Sequence, residues 1–142
     1  MGIFSDFAAS FEEIKYREPK LSSRLAEDVI SSINNGELVN LDVKKHLFLA
    51  PGEKCHYADA AYKYNGKKGF MKYDYIVGTL FITNKRIILS ATGGFDYPLY
   101  NLTSCKEFDD GILFQFGDLP VAMGIATSRQ AYHVLQMLRA GQ

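Results

Sequence analysis

Cys55 and His56 are the first neighbours in the chain that could do chemistry together, a thiol beside an imidazole. Such a pair serves as nucleophile and base only when the two side chains meet. The residues around them alternate as in a strand, and a strand sends adjacent side chains to opposite faces, which keeps this pair apart. Cys105 lies far along the chain, and a free thiol of this kind is expected to pack as a small apolar residue. His46, His56, His133, Cys55 and Cys105 show neither i,i+3 or i,i+4 spacing nor a CxxC, so no zinc site is expected. No GxSxG, P-loop or HExxH occurs. The expectation is a non-enzymatic chain with no catalytic residue, metal or cofactor.

Two stretches suit binding better than catalysis. Lys63, Lys67, Lys68 and Lys72 surround Gly66 and Gly69, whose free backbone amides suit a phosphate, while Phe70-Met71 suit a bilayer. The alternative is a solvated loop whose lysines serve solubility. Arginine, the better bidentate phosphate ligand, is absent from the loop, and 16 basic residues balance 16 acidic ones over the chain, so an anionic partner would need a local patch. The other stretch is a stripe of Phe4, Phe7, Phe11 and Ile14 at helical spacing, ending before Pro19. Its acidic flank of Asp6, Glu12 and Glu13 disfavours membrane insertion. Packing on the domain, pairing with a second copy and filling a partner's groove all remain open for it. Tyr57, Tyr62, Tyr64, Tyr73 and Tyr75 could stack bases, but no basic stripe accompanies them, so a barrel cover or protein interface is expected and nucleic acid is not.

The elements that must position these residues follow from periodicity. Leu21, Leu25, Val29 and Ile33 predict a helix over 21–33, stopped by Asn34-Asn35-Gly36. Residues 1–36 thus form an N-terminal helical arm. Residues 37–45 fit a helical turn or an irregular lead-in equally well. From His46 the period becomes two: after the Pro51-Gly52 turn, strands are expected over 55–64, 73–83, 86–91, 95–99, 102–108, 112–116 and 121–125. Pro98 belongs on an edge or bulge, Asp109-Asp110-Gly111 is a hairpin turn, and Thr127 or Ser128 is expected to cap a terminal helix.

At 142 residues the chain suits one domain with a small extension. Its start lacks the pattern of a secretory signal and no run is long enough to cross a membrane, so a cytoplasmic protein is expected, either soluble or peripheral to the inner membrane face.

Seven antiparallel strands must bury a face, which predicts an α+β fold: a barrel or sandwich capped by the C-terminal helix, with the N-terminal helical extension outside it. Leu49-Ala50-Pro51-Gly52-Glu53 and the hairpin Gly78-Thr79-Leu80-Phe81-Ile82-Thr83-Asn84-Lys85-Arg86-Ile87-Ile88 resemble the signature of bacterial PH-like and GRAM-like domains, with Ile82 where leucine is usual. The resemblance covers residues 46–142. A terminal-helix tryptophan, usual in eukaryotic PH domains, is missing, and this chain contains none, which favours the bacterial branch. The resemblance implies a seven-stranded PH-like domain that binds or assembles, often as a homo-oligomer, with Lys85 and Arg86 in a structural role and Arg86 laying its stem along the sheet. It also places the Lys63–Lys72 loop where lipid-binding PH domains hold inositol phosphates. The function expected is protein–protein interaction or self-association, with an anionic lipid or another phosphorylated ligand as the alternative.

Overall fold

The computed structural model describes residues 19–67 and 73–141. Phe4, Phe7, Phe11 and Ile14 lie outside the described residues, as do Lys68 and Lys72. Seven strands run β1 (Cys55–Lys67), β2 (Tyr73–Thr83), β3 (Arg86–Ser90), β4 (Phe95–Pro98), β5 (Leu102–Phe108), β6 (Gly111–Phe116) and β7 (Leu119–Ile125). Helix α1 (Glu27–Asn34) precedes them and α2 (Ser128–Ala140) follows.

All the pairings are antiparallel and the order is β4-β3-β2-β1-β7-β6-β5. Among the described residues β4 and β5 are edges that form no ladder with each other, so of the barrel or sandwich expected the closed barrel does not form, and the sheet is open. It is nonetheless curled: Phe95 and Tyr97 of β4 bring their rings to 5.7 and 4.8 Å from that of Phe116 in β6. A short 3-10 turn, Leu99–Asn101, carries the chain from one edge to the other, and Pro98 sits on an edge strand, where its missing N–H costs no ladder bond.

The concave face holds the main core. Leu80, Ile82, Ile87, Leu89, Ile112, Phe114 and Met123 pack there against Ala131, Val134, Leu135 and Leu138 of α2. These helix positions recur at three- and four-residue spacing, one stripe of the cylinder. Ile33 of α1 belongs to the same cluster and is fully buried.

The convex face is also covered over part of its area. Residues 37–54 form a strap across it, and its first part, 37–45, which the sequence left open between a helical turn and an irregular lead-in, is irregular. Val43, Leu47 and Leu49 pack on Cys55, Phe81 and Ile88, and Leu41 makes a single bridge to Cys55. Coverage on both sides explains why β2 and β3 carry continuous apolar runs rather than an alternation of apolar and polar residues. Gly78 marks the tightest approach between these strands, since a Cβ there would stand 2.3 Å from the Ser90 carbonyl oxygen.

The helix expected from Leu21 begins at Glu27. Residues 19–26 are not helical because the backbone N–H of Arg24 and the hydroxyl of Ser23 are spent on Asp59, 2.7 and 2.8 Å away. Serine competes readily for such local bonds outside helices. The predicted stop holds, with the N–H groups of Gly36 and Glu37 returning to the carbonyls of Ile33 and Ser32.

Candidate functional site

The two stretches that carry the family resemblance lie far apart in sequence and meet in space. Glu53 is buried and its carboxylate gathers donors from the hairpin: Thr83 Oγ1 at 2.6 Å and Arg86 Nε at 2.8 Å, with its own turn closing through the Ala50 N–H at 3.0 Å. Arg86 also donates to Asp96 at 2.8 Å and to the Phe48 carbonyl. Asn84 accepts from the Lys54 N–H at 2.9 Å and donates to the Gly52 carbonyl at 3.1 Å, and Lys85 Nζ reaches the Pro51 carbonyl at 3.1 Å. Every residue from Thr83 to Arg86 therefore holds the turn 50–54. Gly52 supports it with a φ of 78°, in the left-handed region where a Cβ is disfavoured.

Burial opposes the charge on Glu53, but the bonds from Arg86, Thr83 and Ala50 outweigh it and hold the carboxyl below its ordinary range. The same contact raises Arg86. Arg86 thus acts by clamping the strap to the hairpin with its charged head, beyond the stem packing expected of it.

A second buried carboxylate, missed by reasoning from the sequence, sits further along β1. Asp59, 1 % exposed, accepts from the N–H groups of Arg24 and Ala60 and from the hydroxyls of Ser23 and Thr127. The single proton of the Thr127 hydroxyl goes to Asp59, so the Tyr57 hydroxyl, 2.7 Å away, is the donor to Thr127. Burial pushes the Tyr57 phenol upward. Thr127 consequently makes no side-chain cap on α2, contrary to expectation. The signal was available in principle: a lone acid between alanines in the middle of a strand must find donors if that strand is buried.

The Cys55-His56 pair does not assemble. Cys55 Sγ donates to the Tyr57 carbonyl at 3.2 Å, and burial raises its thiol to about 11. His56 Nδ1 lies 2.7 Å from the Val39 carbonyl and must be its donor, which orients the ring toward the strap. Cys105 is half-buried, its thiol raised by burial against the opposing pull of Arg139.

Lys63 and Lys67 are toward the other end of the long hairpin. Cys55 pairs with Thr83 beside the clamp and Lys67 with Tyr73 beside the loop, twelve residues or about 40 Å along β1. Lys63 is on β1, half-buried, and Lys67 is its last residue. Asn65 donates to Asp74 across this end of the hairpin at 3.0 Å. Tyr62 and Tyr64 pack against Tyr75 with ring centroids 5.2 and 6.5 Å apart, while Tyr57 points into the core.

Clefts open on the surface among the described residues. One, of about 260 Å³, lies beside the strap between Arg24, Val43, His46, Phe81 and Ser90; another, of about 570 Å³, lies beside α2 between Asn34, Glu107, Arg129 and His133.

No family model and no curated protein matches this chain. No helix among the described residues is long and apolar enough to cross a membrane.

Proposed function

We propose that the chain is a non-enzymatic binding and assembly module of the bacterial PH-like class, and that it works chiefly by association with a second copy of itself. The observation that supports this best is the open sheet. Strand β5, Leu102–Phe108, pairs with β6 on one side, and its other side is an edge seven residues long. Such an edge is a template for strand addition. Arg139 bonds the Thr103 carbonyl and covers the start of this edge, leaving the stretch from Ser104 onward as the part that pairs.

The PH-like reading rests on the contact between the two signature stretches, which gives their residue types a shared reason: the Glu, Thr, Asn, Lys and Arg are the parts of one clamp. The non-enzymatic reading rests on the commitment of Cys55 and His56 to backbone carbonyls.

Light scattering on the full chain tests the assembly reading. The expected mass exceeds the 16.0 kDa of one chain. It should fall with a Phe7→Ser, Phe11→Ser variant if the Phe-rich stripe contributes, and with Lys106→Pro on β5 if the edge does. A single-chain mass at every concentration removes self-association.

A further inference from the structure

The sheet ends in two unlike edges. Strand β4 is four residues long, ends at Pro98 and has Asp96 bound to Arg86, features that discourage a further strand. Strand β5 is seven residues long and has no proline, and among the described residues no strand pairs with its outer side. The turn to β6 fixes which groups face outward. Asp109-Asp110 is a two-residue turn closed by Phe108 and Gly111, so the N–H and C=O groups of Phe108, Lys106 and Ser104 face β6. Those of Cys105 and Glu107 therefore point away from it.

Two charges along this edge lack opposites. Arg139 of α2 bonds the Thr103 carbonyl at 3.1 Å and Cys105 Sγ at 3.6 Å, and neither partner is an acid. Glu107 stands on the same face of β5 as Cys105, exposed, and among the described residues it makes no ion pair.

We propose that two copies of the chain join β5 to β5 as antiparallel strands about a two-fold axis at Cys105, so that the two sheets continue as one. This deepens the self-association reading above and rests on it. A two-fold axis normal to the sheet sets one residue of β5 opposite its own copy. At Lys106 or Glu107 it would set like charges directly opposite each other, which is destabilising. At Ser104 it would carry Glu107 past the end of the facing strand, to Asn101 of the second copy. At Cys105 it sets Ser104 opposite Lys106 of the second copy and Glu107 opposite Thr103 of the second copy, where Arg139 stands. One Glu107–Arg139 pair then forms on each side of the axis, and no like charges face each other.

Engineered thiols read the axis directly. In a Cys105→Ser background, Ser104→Cys with Lys106→Cys sets thiols opposite each other at a non-hydrogen-bonded position, with Cα atoms about 4.5 Å apart, a span that a disulfide bridges. Mild oxidation of the full chain should turn most of this variant into a covalent dimer, with peptide mapping finding position 104 joined to position 106 of the second chain. Ser104→Cys alone and Lys106→Cys alone should stay largely uncrosslinked. Glu107→Arg should raise the dissociation constant about tenfold or more, two exposed pairs being lost per dimer and each worth up to about a fivefold factor. Adding Arg139→Glu should bring it back toward wild type. Efficient cross-linking by either single cysteine moves the axis and overturns the proposal, as does a charge swap that restores nothing. An oligomeric mass without a link between positions 104 and 106 overturns it while leaving self-association in place; a single-chain mass at every concentration removes both.

Discussion

Glu53 and Asp59 are both buried carboxylates that tie distant parts of the chain together, yet they are satisfied by different chemistry. Glu53 faces a guanidinium as well as neutral donors, whereas Asp59 is held by hydroxyls and backbone N–H groups alone. Glu53 joins the strap to the β2–β3 hairpin. Asp59 joins the segment before α1, the middle of β1 and the start of α2. The lesson is about where the risk lies. A network built on opposite charges fails all at once when one partner goes, because the other is left buried and charged; a network of neutral donors loses strength one bond at a time.

The sharpest way to break that contrast is Arg86→Ala. It strands Glu53 in the interior and should cost about 3–5 kcal/mol in urea unfolding. Arg86→Met with Glu53→Gln should recover part of this, because it removes both charges; if the double variant is no better than Arg86→Ala, the cost is not that of an unpaired carboxylate.

Asp59→Asn should cost less, about 1–3 kcal/mol, as the amide turns donors toward donors but leaves no charge unmatched. Unfolding as severe as for Arg86→Ala would mean that the two carboxylates do not differ in this way. Thr127→Val removes one of the hydroxyl donors and the acceptor of Tyr57, and the same urea midpoint should move by about 1 kcal/mol.

Acid tests the Glu53 ion pair directly. Glu53 has a folded-state pKa below its ordinary 4.5, so its share of stability is fully present above that value and is lost as pH falls through the lower folded value. Thermal melts of Glu53→Gln should therefore show a shallower acid decline than wild type over that window. A wild-type melting temperature flat to the acid limit would contradict the ion pair.

The smallest expected effect is chemical. With its thiol raised to about 11, Cys55 should resist iodoacetamide in the folded protein at neutral pH, and half-buried Cys105 should be alkylated first. Peptide mapping of the labelled chain would reveal the reverse order if Cys55 were accessible.

Much of the strand order was legible because each strand has a local cause: Asp109-Asp110-Gly111 turns β5 into β6, Thr92-Gly93-Gly94 separates β3 from β4, and β-branched runs fill β2 and β3. The start of α1 was not legible, since Leu21 and Leu25 keep helical spacing while a bond to Asp59, 35 residues away, takes the Arg24 N–H. Phe48 was equally hidden. Within Leu47-Phe48-Leu49 it resembles a core residue, and only the strap's path turns its ring outward while its two neighbours pack inward.

What the residues determined by themselves is therefore local: the strand-forming runs between Cys55 and Ile125, the α2 stripe, the turns, and the separation of Cys55 from His56. These depend on steric and hydrophobic preferences that act over a few positions. Tertiary structure decided the rest: that the sheet stays open, that the strap covers the convex face, that Glu53 finds Arg86 and Asp59 finds Thr127, and that Phe48 and Tyr100 are left exposed. Those outcomes depend on which donors arrive beside which acceptors once the chain has closed, and short-range sequence pattern carries no record of partners 30 to 70 positions away.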